Sequence, residues 1–449
     1  MVSSFLAWLR WSASTKATST IRRIRLPSFT PIPPPPTDLQ QLDSWLGGFT
    51  NWEKQTPLWA DRRALGPSRC RNLLQRADLL PVTGPSIQVA GTKGKGSTVL
   101  WLEALLRQRG YPTAATLSPH LYCIEERIRI DGTELVAPSL LEGLANLHPH
   151  LCDPEQPEDS MPTFFDLWIA LFIERATNAG DRWLLLEVGM GGPLDSTSAI
   201  AHDVGVLTTV DLDHRPILGD TIQEIAQEKA SIARSGKPFI IADGEHAGIA
   251  LEVATARGAI PCCVEDDDRI PAHVLFPQRL NGACALAALE SVANMAPWNV
   301  EEVQLAVEDL HLPARLETIA GPAPLLLDGA HTPLSLAAFV DRFETYRDGH
   351  SGSILIGMLA DKEIKLSLAP IASLDPPPRI ITVTPPSPRA LPAHTLSEIF
   401  DQFGLNTKTA DHIDHGLDWL LKRAATGEPA AATGSMHLAG MIRSQWLSH

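Results

Sequence analysis

The sequence is poor in the features that mark membrane proteins, disulfide-stabilised proteins and nucleic-acid-binding proteins. Its apolar runs fall well short of the roughly 20 residues that a membrane-spanning helix needs. Six cysteines are scattered over 449 residues, none with C-x-x-C spacing, which predicts reduced thiols in a cytoplasmic compartment rather than a disulfide framework or a zinc site. Lysine and arginine number 37 against 52 aspartate and glutamate. The net charge of −15 excludes non-specific binding to nucleic acid or anionic membranes.

Acidic residues are absent from residues 1–37, which carry five basic side chains, so the rest of the chain has a net charge of −20. This basic, serine-rich stretch is typical of an organellar transit peptide, although a disordered tail or a start codon placed too early has the same composition. Pro33–Pro36 predict a stiff polyproline segment. We expect a disordered extension over 1–37, folded structure near Asp38 and a cytoplasmic location, with organelle import through 1–37 as the alternative.

Short apolar runs alternate with helical patterns from residue 87 onward. Runs that are apolar on both faces predict buried strands of a mostly parallel sheet. One set comprises Ile87–Ala90, Trp183–Val188, Val204–Val210 and Phe239–Ala242, and a second comprises Leu325–Leu327, Ser353–Gly357, Arg379–Val383 and Ala430–Thr433. The alternation predicts an α/β fold. We expect a P-loop ATPase-like domain over 38–311 and a smaller Rossmann-like α/β domain over 312–449.

The glycine-rich loop at 91–97, GTKGKGS, follows the first apolar run and opens a helical pattern. Glycines let backbone N–H groups surround phosphate oxygens, and the helix N-terminus adds the positive end of its dipole. Lys95 would reach the outer phosphates, and Ser97 offers a hydroxyl nearby. The loop is shorter than the standard P-loop, and an ordinary glycine turn is the alternative. The combination predicts a nucleotide site at Gly94, Lys95, Gly96 and Ser97.

This loop and further motifs resemble the folylpolyglutamate synthase/dihydrofolate synthase family of Mur-ligase-type amide ligases. Any one motif alone is weak, but several in the same order from about residue 40 to the C-terminus are specific. Besides the loop they are SPH at 118–120 with EERIRI at 125–130, EVGMGG at 187–192, LDH at 212–214, LGDT at 218–221, EKA at 228–230, RLE at 315–317, DGAH at 328–331, GMLADK at 357–362 and TGS at 433–435.

The resemblance implies an ATP-dependent ligase that adds L-glutamate to dihydropteroate, to the glutamate tail of reduced folates, or to both, through an acyl phosphate. We favour the bifunctional reaction. ATP and Mg²⁺ are the implied cofactors, and the expected partners are these small molecules, without nucleic acid or membrane, bound by a monomer. Two alternatives stay open: a Mur-type amide ligase acting on another carboxylate, and a nucleotide-binding relative without ligase activity.

The resemblance also assigns roles to single residues. The implied metal ligands are Ser118, Glu187 and His214, with Lys229 if it is carbamylated. Besides the loop, the implied ATP contacts are Asn281, Arg315 and Asp328, which would place the nucleotide between the two domains. The implied catalytic residues are Lys95, His331 and Lys229, and the implied pterin contacts are Phe164 and Phe165. Without the resemblance, Lys229 would be a solvated surface lysine, Asn281 a helix cap, and the two phenylalanines core residues.

Three positions depart from the family's pattern. Pro193 stands where arginine is usual, Thr332 replaces an asparagine, and Lys93 occupies a loop position where asparagine is usual. Because none of them replaces a residue assigned to phosphate or metal, they bear on substrate preference and rate more than on the type of reaction.

Overall fold

The computed structural model describes residues 32–51, 66–151, 161–212, 218–360 and 363–448. Pro33–His449 forms one compact unit. Folded structure begins a few residues before the predicted Asp38, because Pro36 is buried and the carbonyl of Pro33 accepts a hydrogen bond from Trp45 Nε1 at 3.0 Å. A polyproline segment cannot donate to a sheet or helix but can still accept and pack. The rest of the predicted extension lies outside the described residues.

The first sheet has eight strands in the order β4-β3-β2-β5-β1-β6-β7-β8. They are β1 Ser86–Ala90, β2 Thr113–Thr116, β3 Ile128–Ile130, β4 Thr133–Glu134, β5 Trp183–Glu187, β6 Val204–Leu207, β7 Pro238–Ala242 and β8 Ile260–Val264. In this spatial order, neighbouring strands from β2 across to β8 pair in parallel. Strands β3 and β4 form an antiparallel edge next to β2. All four strands predicted in this half are confirmed.

Nine helices are described in this half. They are α1 Leu39–Leu46, α2 Ser68–Arg76, α3 Lys95–Gln108, α4 Ala137–Leu151, α5 Phe164–Asn178, α6 Ile222–Ala230, α7 Ala247–Ala256, α8 Gln278–Glu290 and α9 Val300–Glu308. Helix α6 ends at Ala230. The Ser231 hydroxyl donates to the carbonyl of Gln227 at 2.7 Å, and such a local side-chain bond competes with continuation of the helix.

The second sheet has six strands in the order β13-β12-β11-β14-β10-β9. They are β9 Glu317–Ile319, β10 Leu325–Leu327, β11 Ser353–Ile356, β12 Arg379–Thr382, β13 Thr407–Thr409 and β14 Ala430–Thr433. The accompanying helices are α10 Pro333–Arg347, α11 Ile364–Ala372, α12 Ala393–Gln402, α13 Ile413–Ala424 and α14 Met436–Ser448. Only β9 is antiparallel. The predicted α/β class with two sheets is confirmed, while the domain boundary between 311 and 312 stays a prediction.

The parallel arrangement of the strands determines where a ligand-binding site can form in the first half. The C-terminal ends of β1, β5 and β6 lie at one edge of the sheet, because these three strands are parallel neighbours. The loop at 91–94, Glu187 and Thr208 therefore meet there, as ligand-binding groups do in open parallel sheets. Across the described ranges, no helix is both long enough and apolar enough to span a membrane.

Close packing of α3 against α8 yields a stability prediction. A Cβ added at Gly282 would lie 2.9 Å from the Trp101 ring and 3.0 Å from Ile270 Cδ1, whereas one added at Gly248 in α7 would meet nothing within 4 Å. We expect Gly282→Ala to lower the free energy of unfolding by about 1–3 kcal/mol, since a buried ring cannot move freely. Gly248→Ala should leave it unchanged or raise it by up to about 1 kcal/mol. Denaturant unfolding of both variants checks this, and equal losses would contradict it.

Candidate active site

The glycine-rich loop depends on two glycines with left-handed backbone angles. Gly91 has φ 145° and Gly94 has φ 90°, a region that side chains disfavour. A Cβ on Gly91 would overlap the Thr208 hydroxyl, and one on Gly94 would overlap the Asn281 side-chain oxygen. The loop can therefore lie directly against β6 and α8 only because these positions are glycine. This close approach also brings Asn281 to the loop.

The first turn of α3 presents groups suited to a phosphate. Ser97 and Thr98 are buried, and within the described part of the chain their hydroxyls have no hydrogen-bond partner. Lys95 Nζ donates to the Thr92 carbonyl at 3.3 Å, back across the loop. Buried polar groups are nearly always paired in native proteins. Two orphaned hydroxyls at a helix N-terminus beside a lysine fit a bound phosphate and its metal ion.

A buried carboxylate faces this turn. Glu187 ends β5 with 4% of its surface exposed and accepts a hydrogen bond from the Ser118 backbone N–H at 2.7 Å. A Cβ at Gly96 would lie 3.2 Å from Glu187 Oε2, so the glycine after Lys95 leaves room for the carboxylate. Burial raises the pKa of Glu187, while Lys95 and the Ser118 hydrogen bond oppose that rise. A cation is the natural ligand for such a group.

The proposed metal ligands are only partly accounted for. Ser118 and Glu187 lie side by side at the cavity, whereas His214 lies outside the described residues. Lys229 is 2% exposed, so its interpretation as a solvated surface lysine is wrong. Within the described ranges, no group of three or more His, Cys, Asp and Glu side chains is placed to hold a metal ion. The complete ligand set stays a prediction.

The second half supplies a buried acid and a cation. Asp328 follows β10, is 7% exposed and accepts from the Leu316 N–H at 2.7 Å. Burial raises its pKa to about 6, and Arg315 opposes this rise. The residues on either side of Arg315 have φ of 51° and 55°, and its guanidinium contacts the sulfur of Met436. Arg315 also opposes the rise in the pKa of Glu187, so its charge acts on the carboxylate at the end of β5.

A cavity of about 420 Å³ is lined from both halves of the chain. The predicted site residues that line it are Gly94, Lys95, Gly96, Ser97, Ser118, Phe165, Glu187, Asn281, Arg315, Asp328 and His331. His331 Nε2 lies 2.8 Å from Lys93 Nζ, across the cavity. Lys229 is not among the lining residues. One cavity thus contacts the glycine-rich loop, the buried acid Glu187 and, on the side of the second half, Arg315 and Asp328.

The two phenylalanines at the start of α5 have different surroundings. Phe165 lines the cavity, beside the backbone of Gly189. Phe164 is 4% exposed, and its ring stacks on Trp168 with centroids 5.9 Å apart. Phe164 is therefore a core residue in this structure, the alternative that the sequence left open. Consecutive helical residues point about 100° apart, so the two rings have different surroundings although they are neighbours in the chain.

Several lining residues had no signal in the sequence. Arg69 in α2 lies 3.2 Å from Asp166, a partner 97 positions away. Arg389 lies in a proline-rich segment that reads as a surface loop. The segment is instead held against the loop that follows β11. The Ala360 N–H donates to the Arg389 carbonyl at 2.8 Å, and Leu359 pairs with Ala390. Such placements depend on tertiary contacts that local patterns do not encode.

Curated relatives align with this sequence over most of its length. A dihydrofolate synthase/folylpolyglutamate synthase of Escherichia coli is 29% identical over 420 residues, 90% of this chain and 94% of the relative. One of Buchnera aphidicola is 30% identical over 301 residues, 63% of this chain and 69% of the relative. The chain belongs to the dihydrofolate synthase/folylpolyglutamate synthase family. A comparison with protein-family models gives no match.

Some family members are longer. The chain spans about half the length of two haloarchaeal relatives with the name probable bifunctional folylpolyglutamate synthase/dihydropteroate synthase. That of Haloferax volcanii is 29% identical over 398 residues, which are 80% of this chain and 46% of the relative. For Halobacterium salinarum the identity is 26% and the shares are 81% and 47%.

Solved structures of the family have the same fold. E. coli FolC in complex with DHPP and ADP superposes with a TM-score of 0.76 at 27% identity, covering 90% of this chain and 97% of that one. A Yersinia pestis bifunctional folylpolyglutamate synthase/dihydrofolate synthase complexed with AMPPNP and Mn ion has a TM-score of 0.75 at 25% identity, with the same coverage. The expected fold class is confirmed by these family members.

Asp195 at the cavity wall gives a pH prediction. It accepts from Met190 N–H at 2.9 Å and from the Thr197 hydroxyl at 2.5 Å, yet burial raises its pKa from 3.8 to about 6. The folded state therefore binds the extra proton between pH 4 and 6, and this stabilisation is lost as the pH rises through that window. The free energy of unfolding of the wild type should fall by about 2–3 kcal/mol relative to Asp195→Asn between pH 4 and 7.

Asp203 provides the opposite case for the same titration of unfolding. Burial raises its pKa, but hydrogen bonds from Lys237 and Ser86 outweigh burial and lower it below the ordinary value. The wild type should therefore gain stability relative to Asp203→Asn as the pH rises towards the ordinary aspartate pKa of about 4, and should keep it at higher pH. A difference between wild type and Asp195→Asn that does not change with pH, or changes as in Asp203→Asn, would contradict the prediction.

Proposed function

We propose that the protein is an ATP-dependent ligase that joins L-glutamate to dihydropteroate and to the glutamate tail of reduced folates through an acyl phosphate. The observation that carries the proposal is a single cavity lined by Lys95 and Ser97 from one half and by Arg315 and Asp328 from the other. Family membership supports the choice of substrates. A carboxylate is a poor acyl donor, so its phosphorylation by ATP must precede attack by the glutamate amine.

The chain's own residues would divide this work by position. The N–H groups at the start of α3, together with Lys95, would bind the ATP phosphates, and Asn281, Arg315 and Asp328 would hold the rest of the nucleotide. Ser97, Ser118 and Glu187 would hold Mg²⁺, with His214 and a carbamylated Lys229 completing the set. When bound, the ion neutralises phosphate charge. His331 would position the glutamate or the acyl phosphate, and both walls together would keep water from it.

The pterin end of the substrate is assigned to the first half. Phe165 offers the ring that lines the cavity. Pro193 removes a cation that is usual in the family's motif, so we expect this residue to affect preference between dihydropteroate and folates. We also propose a monomer, since one chain supplies both walls, and a cytoplasmic location, since the five described cysteines are unpaired thiols.

ADP release tests the proposed function directly. With ATP and Mg²⁺, the purified protein should release ADP only when glutamate and either dihydropteroate or a reduced folate are both present. Lys95→Met should lower kcat by about 10²–10³-fold, because it removes an ammonium that faces developing phosphate charge. Lys237→Met is the matched control, since Lys237 is 41% exposed and pairs with Asp203 outside the cavity, and it should keep full activity.

The same assay separates the alternatives. Release of ADP with another carboxylate acceptor, and with neither pterin substrate, would favour a different Mur-type ligase. Nucleotide binding without acceptor-dependent ADP release under any of these conditions would favour a relative without ligase activity. Comparing initial rates with dihydropteroate and with a reduced folate decides between one activity and two.

A separate test concerns Lys229. If its carbamate is a metal ligand, Lys229→Ala should lose activity by about 100-fold, and Lys229→Arg should not restore it, because a guanidinium does not form the carbamate. Bicarbonate should raise the activity of wild type freed of CO₂, and ¹³C-bicarbonate should give a carbamate carbon signal that Lys229→Ala lacks. Thermal unfolding controls for the loss of a buried side chain. Full activity of Lys229→Ala would remove the carbamate assignment and leave the proposed ligase intact.

A further inference from the structure

Lys93 is held at its backbone by the end of β6. Its carbonyl accepts hydrogen bonds from the Thr208 hydroxyl at 2.6 Å and the Thr209 hydroxyl at 3.2 Å. Its N–H donates to the Thr209 carbonyl at 3.3 Å, and the neighbouring Thr92 N–H donates to the same carbonyl at 2.8 Å. The backbone is therefore fixed on the first sheet, so the direction of the Lys93 side chain across the cavity is set by its own loop.

His331 is also held in place by hydrogen bonds, in this case to residues of the second half. It follows β10, and its N–H donates to the Ser335 hydroxyl at 3.1 Å in the first turn of α10. Its ring atom Nδ1 lies 2.7 Å from the Gly329 carbonyl oxygen. A carbonyl can only accept, so Nδ1 carries the hydrogen. The ring orientation is thus determined by residues of the second half alone.

The two side chains meet across the cavity. Lys93 Nζ lies 2.8 Å from His331 Nε2, between residues 238 positions apart in the chain. An ammonium can only donate, so Nε2 must present its lone pair, and His331 is the neutral Nδ1–H tautomer. Protonation of Nε2 would place two cations at hydrogen-bond distance. Contact with Lys93 therefore opposes the imidazolium form as well as the other tautomer.

We infer that Lys93 is a positioning residue that joins the phosphate loop to the second half by holding His331 in its neutral Nδ1–H form. Lys95, not Lys93, is the lysine assigned to the outer phosphates, so the loop carries two ammonium groups with different tasks. Nδ1 of His331 is occupied by the Gly329 carbonyl and Nε2 by Lys93, so His331 does not act as a general acid. Its effect on a substrate group is exerted through the position of the Lys93 ammonium. This inference rests on the proposed function only for its effect on turnover; the state of His331 is independent of it.

Removing the Lys93 ammonium should change the protonation of His331, and an uncharged side chain of similar length should not restore it. Lys93→Met keeps a long unbranched side chain but leaves Nε2 without its donor, so Nε2 can take a proton while Nδ1–H stays bonded to the Gly329 carbonyl. We expect kcat/KM for glutamate to fall about 10- to 100-fold, the usual effect of losing a charge-assisted hydrogen bond. Lys93→Arg retains a donor cation and should restore most of it.

A double-mutant cycle with His331→Asn tests whether Lys93 acts through His331. If it does, Lys93→Met should cost less than about threefold in the His331→Asn background, against 10- to 100-fold in the wild type. Nucleotide affinity is measured in parallel by titration with a non-hydrolysable ATP analogue and Mg²⁺. It should change less than about threefold in Lys93→Met, and Lys237→Met should change neither quantity.

Nitrogen NMR of protein labelled with ¹⁵N-histidine reads the His331 ring directly. The protein contains 15 histidines, and the signals lost in His331→Asn assign the ring. At pH 6, below the ordinary histidine pKa of about 6.5, wild type and Lys93→Arg should show the neutral Nδ1–H form, and Lys93→Met should show the imidazolium. This measurement needs no turnover, so it tests the pair even if ADP release depends on neither pterin substrate.

Three results would overturn the inference. The first is an unchanged His331 spectrum in Lys93→Met. The second is additive losses in the double-mutant cycle. The third is a tenfold or larger loss of nucleotide affinity with kcat/KM for glutamate intact, which would make Lys93 a second phosphate ligand.

Discussion

The close approach of a backbone loop to three side chains underlies the whole site. The loop after β1 touches Thr208 and Asn281 through Gly91 and Gly94, and Gly96 leaves space for the Glu187 carboxylate. A Cβ at Gly91 or Gly94 would overlap Thr208 or Asn281 and push the loop off the sheet edge, and one at Gly96 would crowd the Glu187 carboxylate. The N–H groups at the start of α3, the acid that faces them and α8 would then no longer share one cavity. The geometry of the site therefore depends on close atomic packing, because a protein interior of this density has no free space for an added side chain.

Charge is the second constraint, because an acidic chain must handle anionic ligands. Buried carboxyl groups line the cavity at Glu187, Asp195 and Asp328, and burial raises the pKa of each. Bringing phosphates into such a space requires cations at fixed points, and Lys95 and Arg315 are placed there. Concentrating positive charge locally allows the overall −15 to coexist with ATP and glutamate as proposed ligands.

Strand prediction succeeded where a buried strand is also mostly apolar. β1 and β5 have every residue buried and are largely apolar, so they are easy to recognise. β2 is equally buried but was missed, because two of its four residues are threonine. The edge strand β8 escaped, because Ile260 is 60% exposed and the run Ile260–Val264 lacks that signature. Strands β3 and β4 are too short to show a hydrophobic period in the sequence.

The sequence by itself determined the α/β class, the loop with its glycines and Lys95, and the ordered motifs that identify the family, because these are written in local composition and spacing. Tertiary structure alone decided which residues face the common cavity. It placed Phe165 there and Phe164 in the core, brought Arg69 and Arg389 to the walls, and set Lys93 against His331 from 238 positions away. Local patterns encode burial and backbone conformation, whereas contacts between the two sheets arise only from how the sheets pack together.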